Sequence, residues 1–433
     1  MSSVNRRRRE RELKRRRKRR RILIIEIIVL ILLAIVLIAA IWFTNKFGLI
    51  NRYQTDDDKL ITASEENQQY QDQNSADTSQ GTQSDTENTS QQSGYEVIAL
   101  VGLDTRSASD DPDDISYNSD TMIICVIDHN NKAIRLCSVY RDSYLNIGKD
   151  YYGNPDYYTK ANSAYNFGGP EQFMSMLNLN LDLNITEFIT VDFSALTKCI
   201  DLLGGIDINM TREEAVHVNN YNVETAANAR VKYEELEIPD DPNFDGEVRI
   251  PFHCNGSQAV SYARIRYTAG SDYRRASRQR EVLSLIKEKA ASADIFTLNS
   301  VLDAVLPNVT TNMDLGSLVS LALNIVSYDM SDENMSAFPS VHAEDPGGER
   351  TGLDCVIPVT LEYNVEKLHE FLFPGEAYSP SYTVQQYSDQ IVSDSGYSSD
   401  DIEYFSQINY GEALGGISME EFLESQESEN GTS

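Results

Sequence analysis

The sequence predicts an α/β domain carried behind one transmembrane helix. Two observations predict it. From Val97 to about Pro374, strand-like apolar runs alternate with helix-like ones, and no repeat emerges. Upstream, Ile22 to Phe43 is a 22-residue apolar stretch whose single charge is Glu26, and about 20 apolar residues in a helix cross a bilayer core. The composition agrees with a folded chain: 41% of the 433 residues are hydrophobic, which excludes a wholly disordered protein.

Charge sets the orientation of the span. Residues 1–21 carry 13 Lys+Arg against 2 Asp+Glu, whereas the other 412 residues carry 24 basic and 65 acidic groups. Lysines and arginines stay on the cytosolic side, so the N-terminus is predicted inside and the bulk of the chain outside the cell membrane. Glu26 lies about one turn from the cytosolic end, where it can reach headgroups or the basic tail, and Trp42 and Phe43 suit the opposite interface. The apolar stretch exceeds the 7–15 residues usual for a cleaved signal peptide, which favours a retained signal anchor. A basic tail beside a span reads as a partner for anionic lipid, and the acidic bulk argues for no nucleic acid as partner.

The predicted organisation is therefore a cytosolic tail (1–21), the anchor (22–43), a polar, disordered stalk (44–94), an extracellular domain (95–375) and an acidic tail, packed weakly or disordered (376–433). The stalk is rich in Gln, Ser, Asn, Thr and acids, and after Lys367 no Lys or Arg follows. Five cysteines, an odd number, do not make a disulfide framework, and no Cys/His spacing suggests zinc. The five histidines lie beside no Ser or Cys motif, so a Ser-His-Asp hydrolase is unsupported. No phosphate-binding GxxxxGK[ST] loop or kinase-type motif is present.

Three segments carry chemistry. The first is a buried strand from Val97 that ends at Asp104 and Arg106; in α/β sheets, ligands sit beyond the carboxyl ends of strands. The second is a hairpin. Thr121–Asp128 and Ala133–Val139 read as strands, and Asn130 and Asn131 can take the positive φ of a tight turn. Facing residues then have numbers that sum to 261, which sets Asp120 opposite Arg141, with Asp142 adjacent, and Cys125 opposite Leu136. Cys137 points to the other face, against a disulfide with Cys125. A surface cross-strand ion pair would account for Asp120 and Arg141 equally well.

The third segment places six arginines within 17 residues, Arg264 to Arg280, of an otherwise acidic domain. Arg275, Arg278 and Gln279 share one helix face, and Ser271 or Asp272 could cap the helix. Val282, Leu285, Ile286 and Lys289 continue the pattern onto the core. Arginines grip phosphate through paired hydrogen bonds, and Mg²⁺ takes one or two carboxylates plus phosphate oxygens, so the set suggests a metal-bridged pyrophosphate.

In order along the chain, LVGLDTR (100–106), SDTMI (119–123), SVYRD (138–142), KANSAYNFGG (160–169), VDF (191–193), DLLGGIDI (201–208), NGSQAVSYARIR (255–266) and DYRRASRQR (272–280) resemble the LytR–CpsA–Psr family of bacterial cell-wall phosphotransferases. A weaker likeness, including NVTTNMDL (308–315), continues towards residue 375. The resemblance implies an α-β-α sandwich around a mixed β-sheet. It implies a polyprenyl-pyrophosphate-linked glycan as donor, its prenyl tail in an apolar tunnel, and a peptidoglycan hydroxyl as acceptor. It implies Mg²⁺ (or Mn²⁺) held by Asp104 and Asp120. Pyrophosphate contacts would come from Arg141, Arg264, Arg266 and Arg275, with Gln279 nearby and Arg106 and Arg278 as helpers. Asp272 is the implied general base, while Asp142, Lys160 and Asn162 build and orient the site. Paired glycines at 168–169 and 204–205 read as backbone turns.

Two positions depart from the family pattern. Asn118 stands where an arginine is usual, a loss of roughly 1.5–3 kcal/mol if that arginine makes a charge-assisted contact; Arg106 and Lys149 are the candidates to compensate. Val139–Tyr140 stands where Ile-Pro is usual. A hydrolase using the same site with water as acceptor, and a non-catalytic wall-binding or regulatory protein, are the alternatives. The sequence leaves open whether wall teichoic acid, capsule or another glycan is moved.

Overall fold

The structure is a computed structural model that describes residues 44–68, 94–103, 119–265 and 271–413. It divides into two units, Met1–Ile50 and Asn51–Ser433. The described part of the first is a helical turn at 44–47, closed by the Gly48 N–H on the Thr44 carbonyl. The expected membrane span at Ile22–Phe43 lies outside the described residues. Among the described residues, no helix is long and apolar enough to cross a membrane.

The second unit is built on a seven-stranded mixed sheet. Its spatial order is β1 (Asn51–Arg52), β10 (Val309–Thr311), β7 (Glu187–Asp192), β2 (Tyr95–Leu103), β3 (Ser119–Asp128), β4 (Ala133–Val139) and β11 (Met335–Phe338). The β2–β3 and β3–β4 pairs are antiparallel, while β2–β7 and β4–β11 are parallel. Successive side chains on a strand point to opposite faces, and the buried residues follow that period. Ala99, Val101, Met122, Ile124 and Cys137 face one core, formed with α1 (Ser163–Leu181), α8 (Leu361–Leu372) and α9 (Tyr382–Ser395). Ile98, Ile123, Cys125 and Leu136 face another, completed by Leu283 of α5 (Ser271–Ser292) and Leu318 and Leu321 of α7 (Leu315–Ser327). Helices therefore cover both faces of the sheet.

Among the described residues, three two-stranded sheets lie outside this one: β12–β13 (His342–Asp345, Cys355–Pro358), β5–β6 (Tyr144–Asn146, Tyr158–Lys160) and, last, β8–β9 (Ile206–Met210, Ile250–Cys254). The β8–β9 pair joins α2 (Phe193–Leu202), α3 (Arg212–Asn228), α4 (Gly256–Arg264) and Val282 of α5 in a separate core. Capping boxes start α3 (Thr211 with Glu214) and α4 (Asn255 with Gln258), each satisfying N–H groups that a helix start leaves open. Helix α6 (Ile295–Val305) follows α5, with the Asp294 carboxylate at its start.

The hairpin register holds as predicted: Met122 faces Val139, Cys125 faces Leu136, and all five cysteines are free thiols. The turn differs. Positive φ falls on Lys132 (53°) rather than on Asn130 or Asn131, because the Asp128 carboxylate accepts the N–H groups of both asparagines and sets the bend itself. The paired glycines do serve as turns: Gly169 sits at φ 67° in a kink of α1, before Pro170, where a side chain would be strained.

The proposed stalk needs correcting, and the tail takes the packed alternative over part of its length. The polar stalk is not wholly free, since β1 adds to the sheet edge beside β10, Tyr53 bonds Glu171 at 2.9 Å, and Ala63 is buried. Nor is the acidic tail disordered throughout: α9 buries Val384 and Ile391 in the main core, and α10 (Ile402–Ala413) packs near Val341 through Ile402 and Phe405. Asp182 holds this end in place, accepting from Tyr378 Oη at 2.5 Å and from Ser381 N–H at 2.8 Å.

Two histidines in this region are buried, and burial pushes each from 6.5 down to about 4. The unfolded chain takes up these protons below pH 6.5, and the folded chain refuses them until about pH 4. Stability is therefore full above pH 6.5 and falls as the pH drops through that window, by about 2 kcal/mol per histidine at pH 5. Urea titrations at pH 7 and pH 5 are expected to show the loss, and His342→Gln with His369→Gln to flatten the slope.

Candidate active site at the sheet edge

Antiparallel pairing brings the end of β2, the start of β3 and the end of β4 to one edge. Asp120 on β3 and Arg141, just past β4, meet there: Arg141 Nη1 donates to Asp120 Oδ1, and Arg141 Nε donates to Asp142 Oδ2 at 3.1 Å. Lys160, at the end of β6, lies 3.3 Å from the other oxygen of Asp142. Backbone bonds fix the corner, with Asn162 N–H on the Arg141 carbonyl at 3.0 Å and Val356 N–H on the Asp142 carbonyl at 2.9 Å. Asp120, Arg141 and Asp142 are each only 15–18% exposed, so water screens their charges weakly. Burial pushes the Asp142 carboxyl up, but Arg141, Lys160 and Arg275 outweigh it and hold the group below the usual carboxylate range. Asp142 therefore stays ionised and orients Arg141; this support is lost only as the pH falls through its lowered titration range.

The helical arginines divide between two tasks. Arg275 is buried, and its charge reaches Asp142. Arg264 ends α4, where it donates to Thr225 Oγ1 at 2.8 Å, pairs with Glu224 at 3.3 Å and lies over the Tyr221 ring. Arg278 is instead a strut of the second core. Its Nε and Nη2 donate to Glu214 Oε1 at 3.2 and 2.9 Å, and its Nη1 to the Ile265 carbonyl at 3.2 Å. The phosphate-helper role read for it in the sequence has this pairing in its place.

Helix α5 begins at Ser271, so Ser271 and Asp272 belong to its first turn rather than capping it. The Asp272 side chain lies outside the described residues, as do Asp104, Arg106, Asn118 and Arg266. Lys149 sits in the β5–β6 loop, at the far end of that hairpin from Arg141. Lys289 pairs with Asp207 at 3.6 Å.

Beside the charged corner is an apolar cavity of about 180 Å³ between the sheet and α2, α4 and α5. Leu100, Ile123, Ile189 and Leu196 line it, and Arg264 and Gln279 reach it from the helices. Thr121, next to Asp120, lines it as well. Gly102 permits this approach of strand to helix, because a Cβ there would lie 2.9 Å from the Thr121 Cβ and 3.4 Å from the Phe193 ring. Sequence reasoning missed Glu214, which holds both Arg278 and Arg249. The one sequence signal that marks it is the Thr211-x-x-Glu214 spacing of a capping box.

The donor set is compatible with a hard cation at one position. Asp120 offers a mostly buried carboxylate, and Mg²⁺ takes one or two carboxylates with ligand oxygens completing its shell. Among the described residues, no group of three or more His, Cys, Asp or Glu is placed to hold a metal.

A model of the LytR_cpsA_psr family matches residues 60–342. Biofilm regulatory protein A of Streptococcus mutans serotype c is 28% identical over 274 residues, covering 60% of this chain and 61% of that protein. The polyisoprenyl-teichoic acid–peptidoglycan teichoic acid transferase TagU of Halalkalibacterium halodurans is 28% identical over 230 residues, 52% of this chain and 64% of that protein. The chain thus spans less than two-thirds of the length of either relative. Among solved structures, protein gbs0355 of Streptococcus agalactiae aligns with TM-score 0.50 and 22% identity, covering 67% of this chain and 91% of that one, which shows a shared fold.

Proposed function

The chain belongs to the LytR_cpsA_psr family, and from that premise we propose that it is a membrane-anchored extracellular phosphotransferase. It moves a glycopolymer from a polyprenyl-pyrophosphate carrier to a peptidoglycan hydroxyl. The observation that carries this reading is the Asp120–Arg141–Asp142 corner beside an apolar cavity that Arg264 and Gln279 also reach. The apolar lining of the cavity suits the start of an isoprenoid tail, whose pyrophosphate would then lie among arginines.

In the proposed reaction, Asp272 takes the proton of the acceptor hydroxyl. The acceptor oxygen bonds to the phosphorus that bears the glycan, and the P–O bond to the lipid phosphate breaks. Polyprenyl phosphate leaves. Arg141, Arg264, Arg266 and Arg275 spread the charge that develops on the phosphoryl oxygens. Asp142 and Lys160 keep Arg141 in place. Mg²⁺ (or Mn²⁺), held by Asp104 and Asp120, would neutralise part of the pyrophosphate charge. Ile22–Phe43 would anchor the chain with its N-terminus in the cytosol, in the membrane that carries the donor.

Narrowing the cavity tests the reading. Leu196→Trp is expected to raise KM at least tenfold for donors with long prenyl chains and to leave short-chain donors nearly unchanged. Excluding two methylene groups already costs about 1.6 kcal/mol. Equal effects on both donors would place the tail elsewhere.

A further inference from the structure

We propose that the loop of the β5–β6 hairpin is a sugar-binding platform for the acceptor strand, with Tyr151 and Tyr152 stacking on a pyranose ring of peptidoglycan. This rests on the transferase reading and adds to it the place where the acceptor is held. The two rings are 79% and 86% exposed, 5.6 Å apart and nearly perpendicular at 87°.

They stand on a pinned backbone. Asp150 Oδ1 accepts the N–H groups of Tyr152 and Asn154 at 2.8 Å each, and Oδ2 accepts from Asn154 Nδ2 at 2.7 Å. From below, Gln172 Nε2 donates to the carbonyls of Ile147 and Lys149, both at 2.7 Å. Rings presented on a fixed loop give contact area with little entropy left to lose. A second aromatic pair lies further in: Tyr157, 41% exposed, stacks on Phe167 at 6.3 Å. The hairpin then reaches Lys160, which pairs with Asp142. At about 3.3 Å per residue, the eight residues from Lys160 back to Tyr152 span at most ~26 Å, within reach of a short oligosaccharide.

Geometry selects the acceptor over the donor. Leu100, Ile123 and Ile189 of the cavity belong to one face of the sheet. The hairpin's Tyr144, Leu145 and Ile147 pack on the other, with α1. Phosphoryl transfer places the attacking and leaving oxygens roughly in line across phosphorus. With the leaving lipid on the cavity side, the attacking hydroxyl comes from the hairpin side. Charge agrees: the loop carries Asp150 and Asp156 against Lys149, which disfavours a polyanionic glycan or an anionic lipid surface and suits a hydroxyl-rich strand.

The test uses the full chain with both tyrosines replaced by alanine, changes at exposed positions. Titration with a defined peptidoglycan oligomer is expected to show binding at least tenfold weaker than wild type, restored by Tyr→Phe at both positions because the ring does the work. In turnover assays, KM for the oligomer is expected to rise by a similar factor, with KM for the donor and saturating kcat unchanged. Oligomer binding that is unchanged in the alanine variant would overturn the proposal. So would a loss confined to a polyol-phosphate polymer or to vesicles of anionic phospholipid. If the wild type transfers nothing, the transferase reading fails, while the titration still decides the platform.

Discussion

Replacing Arg141 with alanine is expected to lower kcat/KM for the pyrophosphate donor by about a thousandfold. At least two charge-assisted contacts to phosphate oxygens would be lost, each of about 1.5–3 kcal/mol. The fold should survive, because Asp142 keeps Lys160 at 3.3 Å and its backbone bond to Val356. Arg141→Lys should recover only part of the rate. A guanidinium holds Asp120 and Asp142 through separate nitrogens while facing a ligand, and an ammonium offers no such fork. Steady-state kinetics with donor varied at fixed acceptor would separate the two variants. An Arg141→Ala enzyme within tenfold of wild type would remove Arg141 from the site.

The largest effect on stability is expected at Glu214. Its carboxylate, 4% exposed, takes Arg278 at 2.9 Å and Arg249 at 2.8 Å and also closes the capping box of α3. Glu214→Ala removes the carboxylate that takes two nitrogens of the buried Arg278, a cost of about 3–5 kcal/mol. Substituting Arg278→Met as well should return part of that loss, since the guanidinium buried opposite Glu214 is then gone. Urea midpoints of the two single variants and the double variant would show it. Additive losses would mean that the pair does not act as a unit.

Much of the sheet was legible because strand pairing has a period of two and a register set by one short loop. That logic placed Asp120 against Arg141 and separated Cys125 from Cys137, as the structure has them. Helical spacing was a weaker guide. It tells which residues share a face but not what covers the face, so Arg275 and Arg278 read alike. One faces the field of Asp142, and the other meets Glu214, 64 positions away. The stalk was misread, and the tail left open, for a related reason. Strand β1 joins the sheet through main-chain bonds that leave no side-chain signature. In the tail, Val384 and Ile391 are two apolar residues seven apart in an acidic background, too few to announce the helix α9 they hold down.

The most direct measurement follows both products of one reaction. The full chain would be incubated with a polyprenyl-pyrophosphate sugar, Mg²⁺ and a peptidoglycan oligomer, and mass spectrometry would track lipid and glycan together, with Asp120→Ala as control. The expected result is metal-dependent polyprenyl phosphate in step with a phosphate-linked sugar on the oligomer, both absent from the control. Lipid phosphate with free sugar phosphate and an unmodified oligomer would contradict transfer and identify water as the acceptor.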